Sequence, residues 1–232
     1  MKKVILSILS ISALIFTSCS LDNDDENGGG TVGGEVTAQN LAGNLTTDLI
    51  LDASVAHNLT GALLVKDGAT LTIEAGTRIN ALAGGTDVYI LVEKGGRIIA
   101  DGTAAKPILF TSNASIPKAG DWGGIIINGM APISRQASSS SNAATEVKNS
   151  IFFGGDDVND NSGILNYVKL EYTGARIDDE AEHNGLTLNG VGAGTTISNI
   201  AILNGDDDAI EFFGGSVNTS NILVVNAKDD MF

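Results

Sequence analysis

Apolar and polar residues alternate in short runs along most of the chain, and the runs return at fixed spacings. "LLVKDGATLTIEAGT" (63–77) aligns with "ILVEKGGRIIADGT" (90–103), placing Leu63 with Ile90, Val65 with Val92, Gly68 with Gly95 and Leu71 with Ile98. Alternation of period two marks half-buried β-strands, so each unit reads as strand, glycine turn, strand. Further on, "NYVKLEYTG" (166–174), "SNIAILNGD" (198–206) and "SNILVVNAK" (220–228) align. One set of their positions reads Val168, Leu170, Tyr172; then Ile200, Ile202, Asn204; then Ile222, Val224, Asn226, and is expected to point inward. The alternate set, Lys169 and Glu171, Ala201 and Leu203, Leu223 and Val225, is expected to face outward, under a loop or partner where it turns apolar. "FFGG" recurs at 152–155 and 212–215, ending a strand and turning the chain.

No unit can bury its own apolar face, so the units must stack. Coils of about 20–30 residues with two or three short strands wind into a parallel β-helix, like residue over like residue at about 4.8 Å. An antiparallel sandwich would join unlike strands by hairpins, and a propeller would need blades of about 40–45 residues. The stack brings Asn226 onto Asn204 as an amide ladder, Asp229 onto Asp207 and Asp230 onto Asp208.

The amino-terminal segment departs from this pattern. Residues 1–18, "MKKVILSILSISALIFTS", have the layout of a secretory signal: Lys2 and Lys3, an apolar run from Val4 to Phe16, then small residues. The run is short of the roughly 20 apolar residues that span a membrane. Cys19 is the single cysteine, which excludes an intramolecular disulfide. "FTSC" resembles a bacterial lipobox, which implies lipidation of Cys19 and attachment to a membrane. Residues 19–35 then read as a flexible acidic and glycine-rich tether, too poor in apolar residues to fold. Its acidic group, Asp22, Asp24, Asp25 and Glu26, resembles the signal that sends Bacteroidetes lipoproteins to the outer face of the outer membrane.

The chain carries 13 Lys+Arg and 28 Asp+Glu, a net charge of −15. Such a surface repels phosphate backbones and attracts divalent cations, which excludes nucleic acid as a partner. Twenty-nine glycines and few runs of helix formers argue against a helical domain. One elongated domain over residues 36–232 is expected.

Candidate chemistry follows from the stacking. Asp206, Asp207, Asp208, Asp229 and Asp230 fall on turns of adjacent coils, and carboxylates about 5 Å apart need a cation, a proton or open water. Calcium held by Asp207, Asp208, Asp229 and Asp230 is one reading, solvated turn residues a second, and acid/base work on a sugar a third. Asp157, Asn159 and Asn161 alternate along "DDVNDNSG" like part of a calcium loop, without its central glycine or its final bidentate Glu. "RIDDEAEHNG" (176–185) is a charged excursion in which Arg176 and His183 are candidates for base and acid, against plain surface residues. Trp122 in "GDWGG" is a candidate sugar platform or a packed turn residue.

The stretches "GATLTIEAGTRI", "GGRIIADGTAAKPILFTS", "DWGGIIINGMAPIS", "EHNGLTLNGVGAGTTISNI" and "DDAIEFFGGSVNTSNILVVNAKDDMF" resemble a family of Bacteroidetes and marine bacterial lipoproteins built on a right-handed parallel β-helix. The resemblance covers about residues 58–232. It implies that all-β, right-handed solenoid fold, a lipid anchor and, since members run longer, a domain incomplete at its carboxyl end. The paired aspartates are similar to those of polygalacturonases, whose histidine and Arg-x-Lys have no counterpart here. Three functions fit: a glycan-binding or scaffold module on the cell surface, a calcium-dependent polysaccharide lyase or glycosidase, and an adhesin that contacts a surface protein.

Overall fold

The computed structural model describes residues 36–134, 141–177 and 181–232. The expected signal segment, Cys19 and the tether of residues 19–35 lie outside the described residues. Among the described residues there are sixteen strands and no helix. They are β1 (Asn40–Leu45), β2 (Leu49–Leu51), β3 (His57–Val65), β4 (Thr70–Ile73), β5 (Arg78–Ala81), β6 (Ile90–Val92), β7 (Arg97–Asp101) and β8 (Ile108–Ser112). There follow β9 (Ile125–Asn128), β10 (Ala143–Thr145), β11 (Lys148–Phe153), β12 (Gly163–Glu171), β13 (Leu186–Asn189), β14 (Thr196–Leu203), β15 (Ile210–Phe213) and β16 (Thr219–Val225).

Fourteen strands join in one sheet, and each pairing within it is parallel. The pairings run in three columns. The first carries β2, β4, β7 and the leading halves of β12, β14 and β16. The second carries the leading half of β3, then β5, β8 and the trailing halves of β12, β14 and β16. The third carries the trailing half of β3, then β6, β9, β13 and β15. Three strand directions per turn of chain, all in parallel register, make a right-handed parallel β-helix. The alignments hold residue by residue: Leu63 pairs with Ile90, Leu71 with Ile98, Ile200 with Ile222.

The core is a set of vertical ladders. His57, Ile79, Phe110, Leu170, Ile202 and Val224 form one, each in register with the next. Leu63, Ile90, Ile125, Leu186 and Ile210 form another, all fully buried. Of the inward set expected for the later coils, Val168, Leu170, Ile200 and Ile202 are buried, and Ile222 and Val224 pack half-buried against the core. Tyr172 and Asn204, however, are half-buried corner residues and Asn226 is exposed; Leu223 of the outward set is 55% exposed. Burying each such side chain is worth about 1.5–3 kcal/mol.

Corners are made by residues in the left-handed region. Tyr167, Asn199 and Asn221 bend the chain between the first two columns, with φ of 48°, 53° and 57°. Tyr172, Asn204 and Asn226 end the second column, with φ of 65°, 58° and 58°. Asn tolerates this conformation far better than bulky residues do, and its amide can bond along the stack. Nδ2 of Asn226 donates to Oδ1 of Asn204 at 3.0 Å, the expected amide ladder. A parallel one runs at the other corner, from Asn221 to Asn199 at 3.2 Å and from Asn199 to Asn166 at 2.9 Å.

The exception is β10 and β11, the one antiparallel strand pair among the described residues. This hairpin is inserted after β9. It seats Val147 and Ile151 on an outward apolar ladder of Leu64, Leu91 and Ile126. The two "FFGG" repeats are therefore not equivalent rungs: one ends β11 of the hairpin and the other ends β15 of the helix. Their phenylalanines still meet, Phe153 and Phe213 having ring centroids 6.2 Å apart.

Leu170→Ala is expected to lower the unfolding free energy by about 2–5 kcal/mol through cavity formation. Lys169→Ala, one residue away on the outer face, is expected to stay within about 0.5 kcal/mol. Chemical denaturation of the two variants checks the inward and outward assignment.

Candidate functional site

The two acidic turns follow the two Asn corners, β14 leading through Asn204 into Asp206–Asp208 and β16 through Asn226 into Lys228–Asp230. Equivalent residues stand on each other. Besides the Asn pair, the ammonium of Lys228 bonds the carboxylate of Asp206, and the backbone N–H of Asp230 donates to Oδ1 of Asp208 at 2.9 Å. Asp206 is thereby neutralised and Asp207, Asp208 and Asp229 are left to gather. One ligand oxygen from each lies within 4.8 Å of the others. Among the described residues this is the only such grouping of three or more His, Cys, Asp or Glu.

The turn sits close against the preceding coil. A Cβ on Gly174, whose φ is +86°, would come within 2.7 Å of the backbone N of Asp207, so glycine is required where the acidic turn crosses. Around the three aspartates the surface forms a cleft of about 330 Å³, whose lining adds Glu146, Glu182, Asn184, Glu211 and Asp230. Glu182 comes from the excursion after β12 and Glu146 from the hairpin. Asn184 donates to Glu211 at 2.5 Å.

Burial and crowding push three carboxyls of this cleft above their ordinary values. Asp207, only 8% exposed, is pushed up to about 7 by burial, then by its hydrogen bond to Glu182 and the charges of Glu182 and Asp208. Burial also raises Asp208; the N–H of Asp230 opposes the rise, while the charges of Asp229, Asp230 and Glu182 add to it. Glu211 is raised by burial and by Glu146 and Asp208, against the hydrogen bond from Asn184. A cation would relieve all three. Oxygens on one Ca²⁺ at 2.3–2.6 Å are at most about 5 Å apart, so a carboxylate set within 4.8 Å fits that ion. The donors are hard oxygens only, which suits Ca²⁺ and not a soft metal.

The other sequence candidates go elsewhere. Asp157 accepts from the backbone N–H of Asn159 at 2.9 Å, and Asn161 from that of Gly163 at 3.0 Å and from Arg97 at 3.1 Å. Asp157 and Asn161 thus hold the turn itself, and the carboxylate turned inward there is Asp160, 4% exposed. Trp122 shows no face to a sugar: its side chain is fully buried, its Nε1–H donates to the carbonyl of Glu171 at 2.8 Å, and its ring stacks on Phe110. His183 is buried too, 2% exposed, donating from Nε2 to the carbonyl of Thr86 at 2.8 Å. Burial lowers its pKa, leaving a neutral ring packed against Tyr89. Arg176 is exposed and pairs with Glu182 at 2.5 Å, so it touches the cleft through that carboxylate. Sequence reasoning singled out neither Glu146 nor Glu182 nor Glu211. Glu211 carried a signal, an outward position on a repeating strand next to the acidic turn; Glu146 carried none.

A protein-family model described as a pectate-lyase-like beta helix domain matches residues 43–232. No curated protein and no solved structure matches the chain.

The raised Asp207 predicts a pH dependence. A carboxyl whose pKa rises on folding stabilises the folded state fully below its ordinary value of 3.8, and that contribution is lost as pH climbs through about 7. In chelator, the melting temperature is expected to fall between about pH 4 and about pH 7. Asp207→Asn should flatten that fall, as thermal melts across the range would show.

Proposed function

The chain belongs to the pectate-lyase-like β-helix domain family, and from that premise we propose that it is a carbohydrate-binding module. In this reading it is held on the outer face of the outer membrane by lipid on Cys19. Its β-helix presents a glycan site on one flank, and its acidic cleft holds Ca²⁺. One observation carries the cation: three carboxylates from two successive coils within 4.8 Å of one another. Such a cluster is unfavourable as bare charge and becomes favourable around an ion. The register of β14 and β16 brings Asp229 to Asp207 and Asp208 without an ion. Asp207, Asp208 and Asp229 would be the ligands, and the ion would supply positive charge at the floor of the cleft. Glu182 stays tied to Arg176 beside it.

A second reading is favoured by Asp207, whose carboxyl is pushed up to about 7 in a cleft lined by further acids. A carboxyl held near 7 is matched to general-acid work at neutral pH. Glycosidases use two carboxyls about 5–9 Å apart, one of them raised in this way. On that reading the cleft hydrolyses a glycan instead of only holding it.

Calcium is expected to raise the melting temperature of the wild type, the gain reaching about 2.7 kcal/mol at a hundred times Kd. The double variant Asp207→Asn with Asp229→Asn should lose that gain. An equal gain in the double variant would rule out this cation site. Incubation with a panel of neutral, acidic and amino glycans, followed by assay for new reducing ends and unsaturated products, separates binding from cleavage.

A further inference from the structure

Beside the acidic cleft lies a second hollow of about 430 Å³, between the hairpin and the third column of strands. The two share Glu146 and Phe213 in their linings, so they are neighbouring parts of one depression. The second hollow is of different character. Phe153 and Phe213 stand in its wall with ring planes tilted by 58°.

Its lining also includes Asn189, 1% exposed. This residue belongs to a broken ladder. In register, Asn128 of β9 lies on Asn189 of β13, and Asn189 lies on Phe213 of β15. Both amide hydrogens of Asn189 are used, one to Oδ1 of Asn128 at 2.9 Å and one to the hydroxyl of Thr145 at 2.9 Å. Its Oδ1 accepts no hydrogen bond. Where the next rung would supply an amide donor, the chain supplies a phenyl ring. Buried amide oxygens without a donor are rare and call for an explanation. Asn189 adjoins a cavity, and a ligand that donates a hydrogen bond there would satisfy it.

The electrical setting narrows the ligand further. Among the described residues no Lys or Arg lines either hollow, while carboxylates crowd the cleft. With Ca²⁺ on Asp207, Asp208 and Asp229 the cleft still keeps Glu146, Glu211 and Asp230 in its lining, so its mouth favours a cation over an anionic sugar. A cation carried on an apolar frame would also gain from the ring of Phe213.

We propose that the hollow and the adjoining edge of the cleft form one subsite for an amino sugar, a 2-amino-2-deoxyhexose residue of an oligosaccharide. Its ring face rests on Phe213, its ammonium meets Glu146, and a hydroxyl donates to Oδ1 of Asn189. The subsite rests on the glycan reading above and narrows it to one sugar class, set apart from the calcium ligands Asp207, Asp208 and Asp229.

Titration calorimetry on the full chain tests this, in calcium and in chelator, with tetramers of glucosamine, N-acetylglucosamine, galacturonic acid and lysine. The glucosamine tetramer should bind about tenfold or more tighter than the other three, and its affinity should fall as salt rises. Glu146→Gln should weaken it about tenfold and leave the N-acetylated tetramer unchanged, since acetylation removes the charge. Phe213→Ala should weaken both sugars. Glu146 is exposed, and thermal melts of its variant read beside the calorimetry separate lost binding from a lost fold. The subsite is overturned if galacturonate or lysine binds as tightly as glucosamine, or if Glu146→Gln changes nothing. Binding of some other glycan, with none of glucosamine, sinks the subsite and leaves the glycan reading standing. Failure of every glycan sinks both, and calcium binding, read separately, is untouched by either result.

Discussion

Parallel register governs this molecule. A strand of four residues cannot satisfy its own backbone or bury its own apolar face. Each described strand of the helix does both by lying on the equivalent strand one coil away. Once Leu170 must sit on Phe110 and under Ile202, every residue between those points is placed as well. Side chains that profit from stacking, such as Ile and Asn, then form ladders. Those that do not profit are stacked all the same.

The acidic cleft is a product of that compulsion. Asp229 and Asp230 lie over Asp207 and Asp208 because Ile222 and Val224 lie over Ile200 and Ile202. The apolar ladder holds the carboxylates at a spacing they would not choose. The stack relieves part of the repulsion with its own means, Lys228 on Asp206 and an N–H on Asp208. What remains is carried as a proton near Asp207 or, in the proposed function, as a metal ion. The strain of like charges is thus paid for by the core beneath them.

The ladders were legible because they repeat within a short span. Twenty-two residues separate Asn204 from Asn226, and the eye finds matching apolar positions at that distance. The pairing of Asp207 with Asp229 came with them. Trp122 and His183 were not legible in the same way, since each stands alone in its segment. The glycines flanking Trp122 fitted a packed turn and the charges around His183 a surface, but neither pattern named the partners, the carbonyl of Glu171 for Trp122 and that of Thr86 for His183, both remote in sequence. The site residues from outside the repeat were harder still. Glu146 is in a hairpin, and nothing in its neighbours says which flank of the helix the hairpin covers. Its position follows from Val147 and Ile151 settling on Leu64, Leu91 and Ile126, a contact between segments with unrelated patterns.

That hairpin bears on how such a chain can change over time. From Asn128 to Asn189 the chain travels 61 residues and returns to the same register that 22 residues achieve between Asn204 and Asn226. Closing the longer excursion adds only about 0.9 kcal/mol of chain entropy, by the logarithmic dependence on loop length. A coil can therefore take on new material at its rim almost without penalty to the scaffold. Descendants of one ancestor could trade recognition surfaces by lengthening or swapping such rims, while the ladders inside stay as they were.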